Sequence, residues 1–174
     1  MSNITENWRY LFKDSRARVY LVWGILVPIG FLATQYHQQE NINWLWVLIS
    51  LVGLGYMCMV MPLKLRKMQL IMLSWLVPIT IGLVVSFLAF RIDGWGQLIG
   101  YLGSYWLLVM AVGFFCNGLV DPPSLWYWLA TGLNLIAALA CYKLILFAQY
   151  QFLVAAAVVF VSMMGLWLFR SFDL

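Results

Sequence analysis

The 174-residue chain has no Asp, Glu, Lys, Arg or His in the middle of any of its long apolar runs. Ionisable groups inside a membrane mark proton relays, ion paths, voltage sensors and counter-ions. Their absence argues against a proton-coupled pump, a voltage sensor and a retinal protein with a buried lysine. His37 is the single histidine, so one chain cannot supply bis-histidine haem ligation. The three cysteines, Cys58, Cys116 and Cys141, form no CxxC pair and lie in or beside apolar runs, where they read as small hydrophobes. No Gly-rich phosphate loop, nucleophile elbow or HExxH is present. A membrane enzyme ordinarily needs two or more convergent acidic, His or Cys groups. The chain is therefore expected to be non-catalytic, with no metal site and no cofactor.

Charge is scarce altogether. Charged residues make up 9% of the chain, against about 25% in an ordinary soluble domain. Apolar residues make up 65%, and such a surface can be hidden only in lipid. The apolar residues fall into six uncharged stretches, Val19–Gln39, Asn41–Leu63, Met68–Phe90, Gly94–Val120, Pro122–Tyr142 and Leu144–Phe169. Each has the roughly 20 residues that a helix needs to cross a bilayer. None alternates with the period of two that a lipid-exposed barrel strand requires. The expected fold is an all-α integral membrane protein, a bundle of six transmembrane helices in one domain. No cleavable leader is expected, because the first apolar run follows about 18 mostly polar residues and has no A-x-A-like exit.

The few cations orient the chain. Arg9, Lys13, Arg16, Arg18, Lys64, Arg66, Lys67 and Arg170 lie on one side of the expected bundle, and only Arg91 and Lys143 on the other. Positive charge in short loops marks the cytoplasmic side, so both termini are expected there. Residues 1–18 then form a basic segment, 19–170 the membrane domain and 171–174 a short tail. Trp8, Leu11 and Phe12 share one helical face and Arg9, Lys13 and Arg16 another, as in a helix lying in the interface; a frayed basic tail is the competing reading. The net charge of +4 implies affinity for anionic lipid. No folded basic face exists that would bind nucleic acid. The expected location is the inner (plasma) membrane of a bacterium or archaeon.

Several patterns bear on packing. Val27-Pro28-Ile29 recurs as Val77-Pro78-Ile79, 50 residues on. Leu48-Ile49 and Gly53 recur as Leu98-Ile99 and Gly103. This suggests three pseudo-repeated helical hairpins, or chance identity in a restricted alphabet. Pro28 and Pro78 are expected helix kinks. Gly53, Gly55, Gly100, Gly103 and Ser104 would allow close helix approach. Among ten tryptophans, Trp44, Trp46 and Trp95 fit an outer interfacial belt and Trp126, Trp128 and Trp167 an inner one. Trp23 and Trp75 lie about one turn deeper. Asp121, before Pro122-Pro123, reads as a helix cap.

The remaining polar groups are uncharged. Asn134, Asn117, Gln149, Trp106 and Tyr105 are the candidate ligand-binding residues. Asn134 lies near the centre of its span, where an amide must find a partner or water. It is expected to face the interior, near Ser104, Tyr105 or Gln149, leaving Leu129, Leu133, Ile136 and Leu139 to face lipid. Two functions follow. One is a non-catalytic accessory, assembly or signalling subunit, whose partners are the lipid bilayer and other membrane subunits or a second copy. The alternative is a channel, transporter or small-molecule binder with a central cavity near Asn134 and Trp106.

Overall fold

A computed structural model describes residues 15–37, 39, 41–121 and 125–172. The interfacial segment expected around Trp8 and most of the region around Pro122 lie outside the described residues. The protein is all-helical, and no strand occurs among the described residues. Eight helices are present there: α1 (Ser15–Tyr36), α2 (Ile42–Val60), α3 (Arg66–Arg91), α4 (Gly96–Ile99), α5 (Leu102–Val120), α6 (Leu125–Lys143), α7 (Ile145–Gln149) and α8 (Gln151–Phe172). Six of them, all but α4 and α7, are long and apolar enough to span a membrane.

Two expected spans are each broken near one end. The run from Gly94 to Val120 exceeds the length that about 30 Å of hydrocarbon requires. It splits into α4 and α5 at Gly100–Tyr101, after a turn in which Gly94 takes φ +88°. The run from Leu144 splits at Tyr150 into α7 and α8. One side chain joins the two breaks. Gln151 Oε1 accepts a hydrogen bond from Gly103 N at 2.8 Å, and its Nε2 donates to Gly100 O at 2.9 Å. The first N–H groups of a helix have no partner within it, so Gln151 supplies from α8 what α5 lacks. The contact needs glycine: a Cβ on Gly103 would lie 2.7 Å from Gln151 Cγ.

The spanning helices are neighbours in chain order, as short loops require. The last, α8, closes the ring against α1 in the most extensive contact of the molecule. Helices α1 and α5 are the most enclosed and α3 the least. Pro28 and Pro78 lie inside α1 and α3, and both helices continue through them.

The core between α1 and α2 is built from indoles laid on glycines. A Cβ on Gly53 would lie 2.4 Å from the Trp23 ring, and one on Gly30 would lie 2.9 Å from the Trp46 ring. Trp46 Nε1 donates to Thr34 Oγ1 at 2.9 Å, and that hydroxyl donates to Gly30 O. Between α3 and α5 the same arrangement holds. Gly113 lies under Trp75 and Gly82 under Trp106. Trp106 Nε1 donates to Ser86 Oγ at 3.0 Å, and that hydroxyl donates to Gly82 O. Trp46 and Trp106 then stack on each other, with centroids 5.2 Å apart and planes 14° apart. Trp46 is thus a core residue, 5% exposed, and not part of an outer belt. Trp44, two residues earlier, is 66% exposed.

Candidate functional site

The enclosed space nearest the centre is lined by Trp23, Trp46, Trp75 and Trp106 with Val27, Ser50, Ile79, Met110 and Met163. Its volume is about 10 Å³, room for about one water molecule. Trp23 Nε1 is buried there without a partner. The four rings come from four different helices, and each is held by the glycine or hydroxyl facing it. Packed to this density, the centre has no space for a small organic molecule.

The five candidate ligand residues are not brought together. Asn134 is fully buried between α6 and α8. Its Nδ2 donates to Ser162 Oγ at 3.0 Å and to Ala130 O at 2.8 Å. Its partner is therefore Ser162 and none of the three groups expected. The opposite face of α6 is as expected: Leu129, Leu133, Ile136 and Leu139 are all exposed. Asn117 is fully buried between α3 and α5, with Nδ2 donating to Ser74 Oγ at 2.8 Å and to Gly113 O at 2.8 Å. Gln149 is exposed, and only its backbone oxygen is used, by Gln35 Nε2 at 3.1 Å. Trp106 alone lines the central space. Tyr105, next to it in sequence, points the other way. Its hydroxyl donates to Ile81 O at 3.3 Å, and it lines an open apolar groove of about 260 Å³ with Val77, Pro78, Ile81, Leu108, Val109 and Val112.

Charge converges elsewhere, at the end of the bundle where α1 begins and α8 ends. Asp121 follows α5 and is 3% exposed. Its carboxylate accepts from Arg16 Nη1 of α1 at 3.2 Å. It is also paired with Lys67 of α3 and with Arg170 of α8. Beside it Tyr20 of α1 and Tyr127 of α6 share a hydrogen bond through their hydroxyls, and Arg170 Nη2 reaches the Tyr127 hydroxyl at 3.4 Å. The carboxylate is thus the hub of an ion cluster and more than a local helix cap. The residue whose N–H could donate a capping bond to it, Ser124, lies outside the described residues, and Pro122 and Pro123 have no N–H to donate. Neither Asp121 nor Gln151 carries a sequence motif. The signal available was their chemistry: each is a polar residue at a helix end where several cations or open backbone groups converge.

Chemically the arrangement braces helices against one another. Among the described residues no group of three or more His, Cys, Asp or Glu could hold a metal ion. Cys58, Cys116 and Cys141 are free thiols. No family model, curated protein or solved structure matches this chain.

Proposed function

We propose that the protein is a non-catalytic accessory, assembly or signalling subunit of the inner (plasma) membrane, working through contacts with other membrane subunits and with lipid. One observation carries this reading. The Nδ2 groups of Asn117 and Asn134, the two amides that could have centred an internal ligand site, are spent on bonds between helices, and the central space holds about one water. Large apolar side chains face outward on every spanning helix, among them Ile25, Leu51, Ile81, Val112, Ile136 and Val161. That surface suits lipid and neighbouring helices.

Both termini lie on the cytoplasmic side in this proposal. The eight-to-two distribution of cations supports it. So does the meeting of Arg16 and Arg170 at one carboxylate, which brings the first and last helices to a common end. The first two hairpins are two copies of one unit, in a register different from the 50-residue offset of the proline motif. Trp23, Gly30 and Thr34 correspond to Trp75, Gly82 and Ser86 at an offset of 52 residues. Trp46 and Gly53 correspond to Trp106 and Gly113 at an offset of 60. The difference is absorbed by the longer connection that contains α4. Pro28 and Pro78 are not equivalent in this register. The third hairpin carries half of the pattern: the Trp126 ring lies over Gly165, as Trp23 lies over Gly53 and Trp75 over Gly113, but Val158 stands where a counterpart of Trp46 and Trp106 would fall.

Three measurements test the proposal. Reporter fusions at residues 1 and 174 should both report the cytoplasm; opposite signals would refute the topology. The purified protein alone in liposomes should leave the bilayer impermeable to ions and small organic solutes, and crosslinking in native membranes should give a stoichiometric membrane partner or a homo-oligomer. A solute flux abolished by Ser50→Val, which takes up the little room in the central space, with folding intact, would establish the transport reading instead.

A further inference from the structure

We infer that the loop between α2 and α3 is a binding site for the phosphate of an anionic phospholipid headgroup, with Lys64 and Arg66 as the phosphate ligands. The charge balance of this end of the bundle favours an anion. By chain position, eight cations share it with the acids Glu6, Asp14, Asp121 and Asp173, which leaves the whole net charge of +4 here. At the other end Arg91 and Lys143 are balanced by Glu40 and Asp93. In chain position the excess falls where the spans end, and a counter-anion is favourable at such a surface.

The loop is built to present it. Lys64 and Arg66 are exposed, and among the described residues neither makes an ion pair or hydrogen bond through its side chain. The next residue, Lys67, is tied down by Asp121. Gln69 Nε2 donates to Leu63 O at 2.9 Å, and Leu65 N donates to Pro62 O at 3.0 Å. Three ties therefore hold a segment whose two remaining cations point outward. On α1, Arg18 has a buried, unpartnered Nε. It lies on the same helical face as Ile25, Ile29 and Leu32, which are 42–52% exposed. By chain position Arg18 adds a further cation to the same end. A basic loop at this level fits a phosphodiester, since an arginine and a lysine offer several donors to its oxygens.

The inference deepens the lipid-contact part of the proposed function and rests on it. Its test uses the full chain in nanodiscs of phosphatidylcholine with a minor fraction of phosphatidylglycerol, with retained lipid counted by native mass spectrometry. Both nanodisc leaflets are alike, so failure here leaves the topology and partner tests untouched. The wild type should retain phosphatidylglycerol over phosphatidylcholine. Each cation near a membrane surface contributes roughly fivefold to such a preference, so Lys64→Gln with Arg66→Gln should lower it about 30-fold. Lys64→Arg with Arg66→Lys should keep it, which separates charge from folding. Arg91→Gln with Lys143→Gln should also keep it. Equal retention of the two lipids by the wild type, or an equal loss in the Arg91 and Lys143 variant, would overturn the inference. Displacement of the lipid by millimolar inorganic phosphate would overturn it in favour of a soluble anion.

Discussion

Gly53 and Gly55 lie two residues apart in α2, and alanine at each should have opposite effects. Intrinsic propensity treats them alike: in an exposed helix interior, Gly→Ala is worth roughly 1 kcal/mol of stabilisation. Their surroundings differ. A Cβ at Gly55 meets nothing within 4 Å. A Cβ at Gly53 would lie 2.4, 2.6 and 2.7 Å from three atoms of the Trp23 indole. Ordinary contact begins at 3.4 Å, so the ring would have to retreat by about 1 Å. Trp23 cannot retreat freely, because it is 5% exposed and lines a central space with room for about one water. Overpacking of this kind costs about 1–3 kcal/mol. After the propensity gain, Gly53→Ala should destabilise by up to about 2 kcal/mol, while Gly55→Ala should be neutral or stabilising. The assay is reversible unfolding in mixed micelles, followed by tryptophan fluorescence and circular dichroism. A double-mutant cycle sharpens it: in the background of Trp23→Phe, whose ring is smaller, the Gly53→Ala penalty should fall by half or more. Gly113→Ala, placed 2.5 Å from Trp75, should behave like Gly53→Ala. Equal stabilities for the Gly53 and Gly55 variants would refute the packing argument.

Three further outcomes are expected. Gln151→Leu removes both the acceptor for Gly103 N and the donor for Gly100 O, and should cost about 2–3 kcal/mol; amide exchange should accelerate first around residues 100–105, and unchanged protection there would contradict the clasp. Asn134→Leu should cost about 1 kcal/mol or less in the same unfolding assay, because Ser162 keeps its bond to Val158 O and the variant also removes an unsatisfied Asn134 Oδ1; a loss several times larger would mean that Asn134 does more than join two helices. Asp121→Asn leaves Arg16, Lys67 and Arg170 together without their shared carboxylate and should cost about 2 kcal/mol, below the range for fully buried pairs because the cations remain 19–46% exposed; in that variant added salt should raise stability by screening the cations, and a salt-independent variant would argue against mutual repulsion.

The sequence by itself determined the class of the fold. A chain with six uncharged runs of this length has one favourable environment, lipid, and one way to satisfy its backbone there, the helix. The apolar face of α6 was legible for the same reason, since Leu129, Leu133, Ile136 and Leu139 follow helical spacing and Asn134 lies off their stripe. Tertiary structure decided which polar residue serves which partner. Asn134 meets Ser162, 28 residues away, and Asp121 meets Arg16, 105 residues away. No local spacing encodes either distance. It decided that Trp46 is core while Trp44 is surface, because two residues turn a helix by about 200° and only the position of α5 says which side is inside. It decided that Gly53 is a seat for an indole while Gly55 is open. Hydropathy depends on each residue alone and could be read along the chain; these contacts depend on pairs of residues on different helices, and they exist only once the helices have packed.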